Sequence, residues 1–356
     1  MAKTRILIVM DSLQCGGAER SLVTLLRQMD AACHDVDLVL AGRGGDFERY
    51  VPEWVNIIDL DKGTHTLWGR MRHLACRAAT ALSLRLHPGD SMGQRTVRHW
   101  RIMKSCLHLP DRHYDIAIAY QQGLPTFLVA EKADADRRYA WINVDLNPNW
   151  TGTGIERFYS RMDRVAVVSD RLKDIIADFM PTVADKLTVR YDPVDSEFIR
   201  LQAGEFDVER HQSLTLTTVA RLSPPKDVAL AVRTAAVLRD RGVSFSWYIV
   251  GDGPLFGEIS DLVTSMGLRD HVVLTGKQVN PYPYMAACDV YVQTSLFEGF
   301  GLTITEALIL GKPVVTTDFQ VVREQITDGV NGLITAHNPV ALADAIQNIG
   351  HLPDAN

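Results

Sequence analysis

The sequence predicts an α/β protein made of two doubly wound parallel-sheet domains. Short apolar runs alternate with longer amphipathic ones along all 356 residues, which is the signature of strand–helix units. Many of the short runs are continuously β-branched or apolar, as in strands buried on both faces of a parallel sheet. The chain is also too long for one typical core, and a polar, charged stretch at 192–212 separates two such series.

In the first series the apolar runs predict strands at 5–10, 36–41, 55–60, 115–120, 138–143, 164–169 and 187–190, with helices over 18–29 and 170–179. The stretch 192–212 carries Gly204 and no strong periodicity, and reads as the interdomain region. The second series predicts strands at 214–220, 245–250, 272–274, 290–293 and 314–317, and helices over 227–239, 255–266 and 303–310. A last helix is predicted at 339–349. The chain therefore reads as a domain over 1–191, a domain over 192–338 and a C-terminal helical segment over 339–356, alike in architecture but without a sequence repeat.

Apolar content of 46% and charged content of 22% are those of an ordinary globular protein. A net charge of −6 speaks against general nucleic-acid binding. Cys15, Cys33, Cys76, Cys106 and Cys288 are scattered, odd in number and free of Cys-x-x-Cys spacing, which fits reduced thiols in the cytoplasm rather than a disulfide framework or zinc site. The apolar run 6–10 is too short for an export signal and is broken by Asp11. One segment stands apart: 69–113 holds nine Lys or Arg against Asp90 and Asp111, a formal +7 that leaves −13 for the rest. Leu67, Trp68, Leu74, Leu82, Leu84, Trp100, Ile102, Met103 and Leu107 are interspersed there. Such a stretch reads either as a segment lying on an anionic membrane surface or as a solvated helical face with its apolar stripe packed inward.

The richest motif is SLFEGFGLTITEALILGKP at 295–313. Gly299-Phe300-Gly301 leads into the predicted helix at 303–310, and a glycine turn at a helix N-terminus is a ready anion site. Glu298 and Glu306 stand on either side of it, eight positions apart. Carboxylates would repel phosphate and instead accept hydrogen bonds from hydroxyls, so phosphate flanked by hydroxyls describes a nucleotide sugar. Taken singly, Glu306 could also be an acid suited to the start of a helix, and Glu298 a solvated loop residue. RLSPPK at 221–226 follows a predicted strand. Its two prolines stiffen the loop that carries Arg221 and Lys226, and two cations at the carboxyl end of a strand suit a diphosphate. DSLQCGGAE at 11–19 joins the first strand to the first helix, where Gly16 and Gly17 let backbone approach a substrate. Its spacing is not that of a dinucleotide fingerprint. GDGP at 251–254 forces a turn after the strand 245–250, and GKQVNPYPY at 276–284 reads as a loop facing the nucleotide base. Asp59-x-Asp61 and Asp134-x-Asp136 have the form of metal-binding pairs but read as local charge; the second falls in a helix-like stretch, and no metal site is predicted.

These motifs together resemble the retaining nucleotide-sugar glycosyltransferases of family 4. The likeness is strongest over 295–318, runs from the Gly16-Gly17 loop to Gly332, and departs mildly at Asp227, which stands where relatives carry Gly after Arg-Leu-x-Pro-x-Lys. The resemblance implies the GT-B fold, two Rossmann-like domains facing across a cleft that closes around substrate, with the last helix returning to the first domain. It implies that Arg221, Lys226 and Glu298 are catalytic. Donor contacts are expected at Gly16, Gly17, Gly299, Phe300, Gly301, Leu302 and Glu306. Asn143 falls at a possible sugar contact, where relatives often have His, so an acid/base role there is in doubt.

The activity implied is transfer of a sugar, with retention, from a nucleotide sugar, of which UDP is the commoner carrier, to a glycan or polyprenyl-linked acceptor in cell-surface polysaccharide synthesis. No cofactor or metal is expected, because Arg221 and Lys226 replace one. The place implied is the cytoplasm, peripheral at the inner face of the cell membrane. A nucleotide-sugar epimerase of the same fold and a non-catalytic nucleotide-sugar-binding protein remain the alternatives, while the missing fingerprint speaks against a dinucleotide oxidoreductase.

Overall fold

The computed structural model of the chain describes residues 2–144, 146, 149–209 and 212–351. It contains two compact units, Met1–Pro193 and Val194–Asn356. The first is a seven-stranded sheet of β1 (Thr4–Met10), β2 (His34–Leu40), β3 (Asn56–Asp59), β4 (Tyr114–Ala119), β5 (Ala135–Ile142), β6 (Arg164–Val167) and β7 (Leu187–Val189). Every pair is parallel, in the order β3-β2-β1-β4-β5-β6-β7. The central β1 is covered on both faces, with Ile6 through Met10 all buried, which is why its sequence is a continuous apolar run. The connecting helices are α1 (Gly17–Gln28), α2 (Leu67–Leu86), α3 (Met92–Met103), α4 (Leu124–Lys132), the single turn α5 (Glu156–Tyr159) and α6 (Asp170–Phe179).

The second unit has α7 (Ser196–Ala203), β8 (Leu214–Val219), α8 (Val228–Asp240), β9 (Phe245–Val250), α9 (Phe256–Ser265), β10 (Val272–Gly276), α10 (Tyr282–Ala287), β11 (Val290–Gln293), α11 (Leu302–Ile309), β12 (Val314–Thr317), β13 (Gly332–Thr335) and α12 (Pro339–Asn348). Its sheet is also parallel, in the order β10-β9-β8-β11-β12-β13. Phe245, Trp247 and Ile249 of β9 pack in one cluster with Leu230 and Ala231 of α8. Both units are thus the doubly wound layers the sequence implied.

Several details differ from the sequence reading. The boundary falls after Pro193, and 192–212 is not all linker: α7 starts at Ser196, capped by Asp195 Oδ1 accepting from Phe198 N at 2.9 Å. Ile199 of α7 lies in the second unit's core. A helix of eight residues with one buried side chain is too short to show a period. Of the predicted base-facing loop 276–284, Gly276 closes β10 and α10 begins at Tyr282, with Tyr282 buried. Asp136 lies in β5, not in a helix, and Asp134 just before it; they take His113 between them at 3.2 and 3.1 Å. Asp59 pairs with Arg43 at 3.4 Å, and Asp61 accepts from Gly63 N at 2.7 Å. α12 packs on α8, β12 and β13, with Leu342, Ala343 and Ile346 buried in that core; residues 352–356 of the predicted C-terminal segment lie outside the described residues.

One polar cluster ties the amino-terminal edge of the first sheet. Asp37 is 3% exposed. Its Oδ1 accepts from Asn56 Nδ2 at 2.7 Å, and its Oδ2 accepts from Arg112 Nη1 at 3.0 Å and Tyr114 Oη at 2.7 Å. Hydrogen bonds to a charged partner are each worth about 1.5–3 kcal/mol. Tyr114→Phe, which keeps the ring packed, should therefore lower unfolding free energy by about 1.5–3 kcal/mol in urea denaturation; no change would mean that Arg112 and Asn56 alone satisfy the carboxylate.

Candidate active site

In the second unit the chain leaves β8 outward through β9 to β10 and then crosses to β11, so the strand order reverses between β8 and β11. The crevice at the carboxyl ends of strands beside such a reversal is where open α/β sheets bind ligands. The loops leaving these two strands carry Arg221 and Lys226 on one side and Glu298 on the other.

The first loop rests on the turn after β9. Leu222 N donates to Asp252 O at 3.0 Å and Leu255 N to Leu222 O at 3.1 Å. The approach is so close that a Cβ on Gly251 (φ +147) would lie 1.9 Å from Ala220 O, and one on Gly253 2.3 Å from Leu222 O. GDGP is thus a backbone seat, and Asp252 Oδ1 is engaged by Gly253 N at 2.7 Å. Pro224–Lys226 forms a tight turn that ends in Asp227 at φ 35, ψ 55, the one non-glycine with positive φ among the described residues. Left-handed backbone explains why a glycine suits this position; Asp tolerates it better than most residues, and here its Oδ2 meets His337 Nε2 at 3.2 Å.

The second loop is stitched to the first. Leu296 N and Phe297 N donate to Pro225 O at 2.9 and 3.3 Å, and Thr294 Oγ1 donates to Lys226 O at 3.0 Å. This brings Lys226 Nζ into an ion pair with Glu298 Oε2. Glu298 is buried, and its Oε1 accepts from Gln293 Nε2 and Ser295 Oγ, each at 2.7 Å. Gln293 Oε1 in turn accepts from Tyr291 Oη at 2.7 Å and Thr303 Oγ1 at 3.3 Å, so its amide has one sensible orientation. Arg221 is exposed. Gly301, at φ +100, caps α11, and Gln325 Nε2 holds Phe300 O at 2.5 Å. The N–H groups that open α11 carry the positive end of the helix dipole, with Ile304 N donating back to Gly301 O at 2.9 Å. Glu306 lies in the second turn of α11, 2% exposed, with Tyr282 Oη donating to its Oε1 at 3.2 Å. A buried second-turn carboxylate is not there to serve the helix start.

In the first unit the order reverses between β1 and β4. Gly16 is the N-cap of α1, with Arg20 N donating to its carbonyl at 3.1 Å; a Cβ there would meet the Glu19 carboxylate, 2.3 Å from Oε2. Gly17 opens α1. Asn143, just past β5, donates through Nδ2 to Tyr120 O at 3.0 Å, while its Oδ1 is buried without a partner among the described residues. Gln121 Oε1 and Gln122 Oε1, just past β4, are in the same condition. Tyr120 Oη meets Ser21 Oγ at 2.8 Å, and Ser21 Oγ donates to Asp192 Oδ1 at 2.6 Å. Burial pushes the Asp192 carboxyl up to about 6 against the opposing pull of Ser21. Burial likewise pushes Asp11, just past β1, up to about 6.

Lys226 and Glu298 are therefore brought into contact, with Arg221 on the same loop and Glu306 on the helix that Gly301 caps. Gly16, Gly17 and Asn143 line the corresponding end of the first sheet. Sequence reasoning passed over Gln293, Ser295, Tyr282, Asp11 and Asp192. Gln293 and Ser295 sit within five residues of Glu298 and could have been suspected. Asp11 ends an apolar strand, which is a signal. Tyr282 and Asp192 reach their partners across 24 and 171 residues and leave no local trace.

Residues 15–198 match Glycosyltransferase Family 4, and residues 205–355 match Glycosyl transferases group 1. Among curated proteins, the N-acetylgalactosamine-N,N'-diacetylbacillosaminyl-diphospho-undecaprenol 4-alpha-N-acetylgalactosaminyltransferase of Campylobacter jejuni is 32% identical over 182 residues, 51% of this chain and 48% of the relative. The putative glycosyltransferase EpsF of Bacillus subtilis is 34% identical over 122 residues, 34% of this chain and 31% of the relative. The chain thus spans half or less of the length of these relatives. Among solved structures, HepE of Anabaena in complex with UDP-glucose superposes with a TM-score of 0.69 at 20% identity, covering 98% of this chain and 90% of HepE. That likeness, together with the two parallel sheets, establishes the GT-B fold.

A raised carboxyl pKa has a definite consequence for stability. Between its ordinary 3.8 and about 6, folded Asp11 holds a proton that the unfolded chain has lost, so stability falls as pH rises through that window. Asp11→Asn removes the effect. It should raise the melting temperature at pH 7.5, by an amount corresponding to at most roughly 3 kcal/mol at about 1.4 kcal/mol per pH unit, and leave it nearly unchanged at pH 3.5. Equal shifts at both pH values would show that burial of the charge is not the cause.

Proposed function

The chain belongs to glycosyltransferase family 4, and from that membership we propose that it transfers a sugar from a UDP-sugar to a glycan or polyprenyl-linked acceptor, with retention at the anomeric carbon. The observation that carries the proposal is the stitched pair of loops at the β8/β11 reversal, which holds Lys226 on Glu298 beside the start of α11.

The chemistry follows from the charges. Cleaving the bond between the sugar and the nucleoside diphosphate places negative charge on the departing phosphate. Arg221 supplies a planar bidentate donor for it, and Lys226, whose ammonium has three donors, supplies a point charge. The N–H groups that open α11 at Gly301 and Leu302 add fixed dipoles, and preorganised donors of this kind contribute several kcal/mol. Glu298 takes hydroxyls of the transferred sugar, and its orientation is fixed beforehand by Gln293 and Ser295. Glu306 takes the ribose hydroxyls. The departing phosphate oxygen accepts the acceptor's proton, so no protein base is required on the reacting face, which agrees with an amide at Asn143. Two side-chain cations occupy the place a divalent ion would fill, so turnover is independent of added metal.

UDP is favoured as the carrier because HepE is described with UDP and UDP-glucose. A lipid-linked glycan is favoured as the acceptor because the Campylobacter relative is named for a diphospho-undecaprenol substrate.

The test is a set of binding and turnover measurements on purified protein. UDP at 100 times its dissociation constant should stabilise the wild type by roughly 2.7 kcal/mol, and Arg221→Ala should weaken UDP binding at least tenfold. Glu298→Gln should keep UDP affinity within about threefold while UDP-sugar turnover falls by about 10- to 100-fold, the cost of one or two hydrogen bonds to a carboxylate. Activity should survive EDTA, and product NMR should show the donor's anomeric configuration. Full activity in Glu298→Gln would overturn the assignment, and stabilisation by NAD in place of UDP would overturn the transferase reading.

A further inference from the structure

Helix α2 presents its apolar side outward. Its covered residues are Gly69, His73, Cys76, Thr80 and Ser83; every other residue from Leu67 to Leu86 is exposed. Those five recur at i, i+4, i+7, i+11 and i+14 and so form one helical face. The helix packs on α3, and Cys76 Sγ reaches Cys106 Sγ at 3.5 Å. This inward face is polar or small, and His73 Nδ1 and Thr80 Oγ1 are buried on it without partners among the described residues. On the opposite face Leu67, Met71, Leu74, Ala78 and Leu82 recur at i, i+4, i+7, i+11 and i+15, with Trp68 and Leu86 at its edge. Exposure runs from 56% at Met71 to 77% at Leu67 among the large side chains, and Met92 at the start of α3 adds another exposed apolar group. The neighbouring α3 shows the ordinary arrangement, with Val97, Trp100 and Met103 buried. The second reading of segment 69–113, an apolar stripe packed inward, therefore describes α3 and not α2.

A contiguous exposed apolar stripe marks a surface that is covered in use, and charge identifies the cover. α2 contains Arg70, Arg72, Arg77 and Arg85 and no acidic residue. At helical spacing, Arg70 and Arg77 border the stripe on one side, Arg72 on the other, and Arg85 stands at its far end. Arginine stems can extend along an apolar surface and place the guanidinium in the polar layer above it. A Trp- and Leu-bearing stripe edged by arginine is the composition of a helix that lies flat in a bilayer interface, and basic residues there add attraction to anionic headgroups. Among the described residues no helix is long and apolar enough to cross a membrane, so α2 can only lie on one.

We propose that α2 docks this protein on an anionic bilayer surface, with the Leu67–Met71–Leu74–Ala78–Leu82 stripe at the acyl boundary and the arginines at the headgroup phosphates. The proposal does not depend on the donor chemistry. The test is flotation of the whole protein with vesicles of phosphatidylcholine alone or with 30% phosphatidylglycerol added, at about 0.1 M salt, where the Debye length is about 10 Å. The protein should float with anionic vesicles and not with neutral ones. Arg77→Glu/Arg85→Glu should cut the bound fraction at least tenfold. Leu74→Glu/Leu82→Glu should do the same while melting temperature stays nearly unchanged, because these side chains are mostly exposed. Trp68 emission should shift to the blue with anionic vesicles, and Trp68→Phe should remove that part of the response. Equal flotation of wild type and Leu74→Glu/Leu82→Glu would overturn the proposal. So would a stable dimer in lipid-free light scattering that the same pair of substitutions dissolves, since the stripe would then be a contact between copies of the chain.

Discussion

The ion pair between Lys226 and Glu298 is the point on which the second unit's site turns. Neither residue could hold the other from an independent loop, since fixing two long side chains costs rotamer entropy that an exposed pair does not recover. Here the backbone does the fixing. Pro225 O takes two N–H groups from 296–297, and Thr294 Oγ1 closes on Lys226 O, so the loops are joined before the side chains meet. The turn at 251–254 props the first loop from below through Leu222. Once Glu298 is buried, removing Lys226 alone would leave a carboxylate with only neutral donors, and an uncompensated buried charge is costly. The arrangement therefore resists loss of either partner, and it keeps a cation and an anion a few ångströms apart, as a diphosphate next to a hydroxylated ring requires.

Both sheets were legible because parallel strands buried on two faces are written as unbroken apolar runs, as at 6–10 and 245–250. The loops bearing Arg221, Lys226, Gly301 and Glu298 were legible because their chemistry is local: prolines, glycines and charges at fixed short spacing. The partners that orient these groups were not. Tyr282 meets Glu306 from α10, and Gln325 holds Phe300 from beyond β12; contacts of this kind depend on packing that no window of sequence contains. α7 was missed because eight residues with one buried side chain resemble a linker in composition. α2 and α3 were not told apart, because composition gives the same basic and apolar mixture to a helix that buries its stripe and to one that does not.

The first unit holds a complementary chemistry. The carboxyl ends of β1, β4 and β5 gather Asp11, Gln121, Gln122 and Asn143, and the described structure leaves Gln121 Oε1, Gln122 Oε1 and Asn143 Oδ1 without donors. Buried acceptors without partners are destabilising, and a raised carboxyl at Asp11 says the same of that position. A fold tolerates such groups where a ligand rich in hydroxyl donors would satisfy them, and it gives up stability to do so. The second unit, by contrast, offers cations and N–H groups. Those donors stand beside the Glu298 and Glu306 carboxylates, so the second sheet end carries both kinds of group that the proposed donor, a diphosphate joined to hydroxylated rings, would require.

Charge is divided as unevenly as hydrogen bonding. With −13 outside segment 69–113 and +7 within it, a protein of uniform charge density would be repelled by an anionic surface. At physiological salt the field of any exposed charge decays over about 8 Å, so a surface senses only what lies nearest. For α2 that is four arginines and no acid along twenty residues. On the proposed docking, the negative charge elsewhere in the chain disfavours approach by acid-bearing surface, and the arginines of α2 favour approach by that helix. The outward stripe supplies what electrostatics cannot, since an attraction made only of exposed charges vanishes with salt, whereas burial of leucine and tryptophan side chains does not. Neither feature is sufficient alone, and their coincidence on one helix is what distinguishes a docking element from a stretch that is merely basic.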